Sequence, residues 1–70
     1  MKLSARNIIR GKVKNVNHGL VNSEVIVGLG SELEIVSIIS KVAVENLNLK
    51  EGKEVYAIIN ANDVILATDY

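Results

Sequence analysis

The sequence predicts an all-β domain, and three observations carry that expectation. Val, Ile and Leu supply 26 of the 70 residues, an aliphatic and β-branched excess that suits a pleated, half-buried surface. Apolar and polar side chains alternate with a period of two along most of the chain, the repeat of a strand that turns one face inward. Clusters of Asn, Asp and Gly break these runs, and proline is absent, a pattern of strands joined by tight turns. The length supports one domain, residues 1–70, and a domain of this size buries only about 60% of the surface its unfolded chain exposes. With no cysteine and one histidine, His18, neither disulfides nor a structural metal can reinforce the core. Oligomerisation is the remaining device.

The elements follow in order. Asn7 to Val16 sets Ile9, Gly11 and Val13 against Arg10, Lys12 and Lys14, which predicts a half-buried first strand with a basic face. Asn15, Asn17 and His18-Gly19 read as a hairpin turn, with Gly19 available for positive φ. A second strand is expected from Leu20 to Leu29, where Val21, Val25, Val27 and Leu29 oppose Asn22, Glu24 and Gly28. Gly30-Ser31 turns the chain into a third strand, Glu32 to Ser40, with Leu33, Ile35, Ser37 and Ile39 on one face. Its other face carries Val36 and Ile38 beside Glu34. A strand apolar on both faces needs cover on both, and in so short a chain the second cover is expected from another subunit.

The period then changes. Val42, Ala43, Glu45, Asn46 and Leu47 fit a short helix, with Ser40 as a suitable N-cap because its hydroxyl can accept from the first-turn N–H groups. Lys50 to Lys53 is a turn, Glu54 to Asn60 a fourth strand, Asn60-Ala61-Asn62-Asp63 a second turn, and Val64 to Ala67 a short fifth strand. Five strands with one helix between the third and fourth match the order of the OB-fold, a partly open Greek-key barrel. SH3-like barrels offer a similar count, and neither fold decides a function.

Charge and composition exclude several classes. The longest apolar run, Val55 to Ile59, is far short of the roughly 20 residues of a membrane-spanning helix, and the basic N-terminus is not followed by the apolar segment of a secretory signal. A cytoplasmic protein is therefore expected. Net charge is zero, yet residues 1–14 hold five cations (Lys2, Arg6, Arg10, Lys12, Lys14) and no acid, so the remainder sums to −5. That arm suits a phosphate backbone, a small anion or the acidic part of a neighbouring subunit. Single-stranded nucleic acids are bound by stacking on exposed aromatics, and the aromatics here are Tyr56 and Tyr70 alone, so no nucleic-acid partner is expected. A lone histidine, no metal-ligand spacing and no glycine-rich phosphate loop argue against an enzyme; a carboxylate pair such as Glu24 with Glu34 or Asp63 is better read as solvated surface.

A small oxyanion fits the inventory better. Such a dianion needs converging donors and no adjacent carboxylate. Ser4-Ala5-Arg6-Asn7 places a hydroxyl, a guanidinium and a carboxamide within four acid-free residues, and is the candidate site.

Those four residues, followed by Gly11-Lys12-Val13, Ser37-Ile38-Ile39-Ser40, Leu47-Asn48-Leu49-Lys50-Glu51-Gly52 and Asp63-Val64-Ile65-Leu66-Ala67, resemble the molybdenum-pterin-binding (Mop, or molbindin; TOBE-like) family over nearly the whole chain. The resemblance implies an OB-fold-like domain that exchanges β-structure with a partner subunit and assembles as a trimer of dimers, a homo-hexamer. It implies storage or homeostasis of molybdate or tungstate, held non-covalently between subunits, with no direct side-chain metal ligand. Position by position, the interface site would draw on Ser4, the Ala5 N–H and Arg6 from one chain, and on Ser40 and the Asn60-Ala61 turn from the partner. A second site near the threefold axis would use the Gly19-Leu20-Val21 backbone with His18 adjoining. Two positions depart from the family pattern: Ala43 where many relatives have Ser, and Asn60 where many have Lys. A charge-assisted hydrogen bond contributes about 1.5–3 kcal/mol and a neutral one about 0.5–1.5 kcal/mol, so the two changes together would weaken the interface site by roughly two orders of magnitude or more. The site would then be kept at lower affinity, retuned or lost. In the last case the oligomer would be an assembly or regulatory module.

Overall fold

Strand propensity and turn chemistry resolve into one curled antiparallel sheet with a short helix packed on it. The computed structural model describes residues 4, 6–30 and 32–69. Strands β1 (Asn7–His18), β2 (Asn22–Gly28) and β3 (Glu34–Ser40) lead into helix α1 (Lys41–Asn46), then β4 (Glu54–Ile59) and one turn of 3-10 helix (Ala61–Asp63). The sheet order is β3-β2-β1-β4. The long β1 serves both neighbours: its first half pairs with β4 from Asn7↔Ile59 to Lys12↔Glu54, its second half with β2 from Lys12↔Gly28 to His18↔Ser23.

The alternation read from β1 holds up to Val13 and then shifts. A bulge between Val13 and Asn15 makes Lys14 the extra residue, so Val16, three positions on, again opposes Val25 and packs against the core. Bulges bend and twist the strand that carries them, which lets β1 turn from β4 to β2. Gly11 lies at the tight place. A Cβ on it would meet the Gly28 carbonyl oxygen at 2.6 Å and Val27 Cγ1 at 2.8 Å.

The core is thin, as the length required. Val13, Val25, Val27 and Val44 are buried, with Val16, Leu29, Ile35, Ile39, Leu49 and Val55 packed round them. Ser23 shares the inner face of β2, and its buried hydroxyl has no hydrogen-bond partner among the described residues. Helix α1 lends Val44 and ends in a Schellman turn. Leu49 N–H donates to the Val44 carbonyl and Asn48 N–H to that of Glu45, both at 3.0 Å, while Asn48 itself takes φ 51°. Lys53 Nζ donates to the Leu47 carbonyl at 2.8 Å, and Gly52, at φ 90°, closes the turn into β4.

Several expectations are corrected. Among the described residues four strands form, not five, and Val64–Ala67 makes no ladder with them. Ile65 and Leu66 are 92% and 88% exposed, because the partner strand that their pattern calls for is not in this sheet. His18 ends β1 instead of occupying the turn, and Leu20 and Val21 form the connection instead of opening the second strand. β3 begins at Glu34, and Leu33 precedes it exposed. β4 ends at Ile59, which leaves Asn60 outside the ladder.

Candidate functional site

The first predicted cluster lies where β1 begins and β4 ends. Asn7↔Ile59 is the last paired step, so Arg6 and Asn60, each next in sequence, flank one another just beyond it within one chain. Both are exposed, as is Ser4; Ala5 lies outside the described residues. Asn60 begins the 3-10 turn with φ −66° and ψ 141° and makes no side-chain cap bond. The turn closes through Asp63 N–H to the Asn60 carbonyl at 2.9 Å and Val64 N–H to that of Ala61 at 3.3 Å. The N–H groups of Ala61 and Asn62 precede the first of these bonds and take no part in the turn's own ladder. The residues that carry the guanidinium, the carboxamide and these two backbone donors thus lie at the same exposed end of the sheet.

The turn carries one acid, Asp63, and no ion pair between it and Arg6 is present among the described residues. The ion pairs described are Arg10–Glu54 at 3.5 Å and Lys14–Glu34, and Arg6 takes part in neither. The +5 arm is therefore divided. Arg10 pairs with an acid of β4 and Lys14 with one of β3, and Arg6 is in neither pair.

Ser40 lies elsewhere. It pairs with Asn22 at the far end of β3, beside the Ser23↔His18 step, so it belongs to the end of β1 opposite Arg6. At about 3.3 Å per residue, 11 steps of β1 separate the two ends by roughly 36 Å of contour. Its Oγ accepts from Ala43 N–H at 3.0 Å, which makes it the helix cap. Capping uses a lone pair, and the hydroxyl proton stays free to donate. The residues of the second predicted cluster, His18 and Gly19-Leu20-Val21, surround this same end. Lys41 N–H donates to the Val21 carbonyl at 2.8 Å, tying the connection to the start of α1, and Gly19 approaches so closely that a Cβ would stand 2.3 Å from the Asn22 carbonyl oxygen.

A feature that sequence reasoning missed is the groove between the two sheet edges. Among the described residues the outer edges of β3 and β4 have no strand partner, and an apolar cavity of about 550 Å³ is lined by Val27, Ile35, Ile39, Leu49, Val55 and Ile59 among others. Its signals in the sequence were the strand character of Val64 to Ala67 and the doubly apolar third strand. Among the described residues no group of His, Cys, Asp or Glu could hold a metal ion, and no helix is long and apolar enough to cross a membrane.

Comparison with known proteins places this geometry. The TOBE domain model matches residues 3–66. A probable molybdenum-pterin-binding protein of Haemophilus influenzae is 44% identical over 69 residues, covering 99% of this chain and all of the relative. Among solved structures, MopII from Clostridium pasteurianum in an apo form superposes with a TM-score of 0.88 at 39% identity, over 96% of this chain and 100% of that one. The cytoplasmic molybdate-binding protein ModG with molybdate bound gives 0.83 at 46% identity, over 87% of this chain and 43% of that one.

Proposed function

This chain belongs to the TOBE-domain family, in its molbindin (Mop) branch, and from that premise we propose that it binds molybdate or tungstate non-covalently as a cytoplasmic store. The observation that carries the reading is the division of donors. Arg6, which is in neither described ion pair, and Asn60 both follow the last step of the β1–β4 ladder at one end of β1, while Ser40 holds a free hydroxyl proton at the other end. One chain cannot close both sets on one tetrahedral anion, whereas two chains can. In this reading Arg6 supplies charge, Ser4 and Ala5 adjoin it, Asn60 and Ala61 donate from the turn, and Ser40 reaches in from a neighbouring subunit. The connection at His18 to Val21 holds a second, backbone-lined site near a threefold axis. The protein is a binding protein, not an enzyme.

The same sheet supports the assembly that the family resemblance implies. An exposed tail with strand character and an open groove between two unpaired edges complement each other across two copies, and three such exchanged dimers make the hexamer. Titration calorimetry with molybdate, tungstate and sulfate tests the site. Heat from the first two is expected, and a loss of affinity of at least tenfold in Arg6→Ala, since a hydrogen bond to a charged group contributes about 1.5–3 kcal/mol. An Arg6→Ala protein that binds as well as the parent sinks the assignment.

A second reading follows from one feature: Asn60 offers an uncharged amide where the family pattern described above has Lys. If the site has decayed, the oligomer is an assembly or regulatory module. Native mass spectrometry then shows a hexamer whose mass does not rise with added molybdate.

A further inference from the structure

We propose that anion binding and strand exchange are coupled through the Asn60–Asp63 turn, so that cargo and assembly regulate each other. The inference deepens the reading above and rests on its anion at Arg6 and Asn60. Asn60 has two positions at once: it flanks Arg6 beyond the last step of the β1–β4 ladder, and it starts the only turn between β4 and the tail. That turn has little to hold it. None of its residues is buried, Asn60 makes no side-chain cap, and its two backbone bonds are 2.9 and 3.3 Å long. The turn by itself therefore sets the direction of the tail weakly. The tail is also the segment with most to gain from a partner, with Ile65 and Leu66 almost fully exposed.

An anion gripped by the Arg6 guanidinium, the Asn60 amide and the first N–H groups of the turn ties the exit of the tail to the fixed end of β1. It holds the tail in the one direction from which a neighbouring groove can take it. A ligand that binds only the assembled form stabilises it by the factor 1 + [L]/Kd per site, about 100-fold at 100 Kd. The coupling is reciprocal: loss of the neighbour loosens the turn, and the anion leaves more readily. Opening of the oligomer thus becomes the route of release.

The experiment mixes isotopically labelled and unlabelled oligomers and follows mixed species by native mass spectrometry, with molybdate, with sulfate and with neither, in enough urea to make exchange measurable without anion. If only the anion-free site opens, molybdate at 100 Kd slows exchange about 100-fold, and sulfate does so far less. A variant with two glycines inserted after Val64, beyond the last backbone bond of the turn, separates the turn from the tail. It is expected to bind molybdate in calorimetry yet to exchange at the anion-free rate. Exchange that stays equally fast in molybdate, while calorimetry shows binding, overturns the coupling and leaves the proposed function standing. Absence of molybdate heat overturns both, as does a protein that is monomeric throughout.

Discussion

Ser40 shows how one atom can serve stability and binding together. Its Oγ lone pair caps α1 and its proton points elsewhere, so substitution can separate the two roles. Aspartate caps as well as serine but offers no proton and adds a negative charge. Ser40→Asp is therefore expected to keep the melting temperature and lose molybdate binding, whereas Ser40→Ala is expected to lose about 1 kcal/mol of stability together with affinity. Equal binding by Ser40→Asp and the parent would reduce Ser40 to a cap. Ser23 presents the opposite case, a buried hydroxyl with no partner among the described residues. An unsatisfied buried group costs about 1–3 kcal/mol, and removing it costs little packing. Ser23→Ala should shift the urea midpoint upward; a downward shift would mean that the hydroxyl is bonded in solution.

At the scale of elements, strand existence was legible because alternation survives in the sequence, and the ends were not. Gly11 and Val13 gave the inner face of β1 directly, while Ile9, expected on the same face, stays 37% exposed. The bulge left a trace too, the step of three from Val13 to Val16, but a period-two reading passes over it. His18 and Val21 were misassigned for a related reason. Asn and Gly mark where a chain can turn, not which neighbouring residue still finds a ladder partner. The Leu47 to Gly52 segment resolves better. Asn48 takes the left-handed cap, Leu49 turns back onto Val44 and Gly52 takes the next positive φ, so each residue has its own mechanical reason. Gly11 is the position where β1 and β2 approach too closely for a side chain. In Gly11→Ala the added methyl meets a backbone carbonyl that has no rotamer to give, and overpacking of this kind costs about 1–3 kcal/mol. Thermal unfolding of the variant should show that loss. A melting temperature unchanged within error would mean that the bend in β1 is softer than the bulge and the close contact imply.

For the whole molecule, the shortage visible in the composition becomes a shape. Four buried valines are a small core, and the sheet stays open where a fifth strand was expected. The sequence recorded the strand character of Val64 to Ala67 without recording which chain pairs with it, since propensity is local and partnership is not. The same limit hid half of the candidate site. Ser4-Ala5-Arg6-Asn7 could be recognised as acid-free donors, but the nearness of Arg6 to Asn60 depends on the β1–β4 register, and the remoteness of Ser40 on the path of β1. Ile65 offers the direct test of how the molecule completes itself. It is 92% exposed, so Ile65→Asp removes no contact that the single chain makes, and an isolated chain should tolerate it. If the tail fills a neighbour's groove, the carboxylate must instead enter an apolar cavity, and burying an unpaired charge costs several kcal/mol. Sedimentation velocity should then show the variant as a smaller species with the parent's far-ultraviolet spectrum and, because Ser40 of the partner is gone, weaker molybdate binding at the Arg6 site. An Ile65→Asp protein that keeps the parent's sedimentation coefficient would place the tail outside the groove and leave the open sheet to be covered some other way.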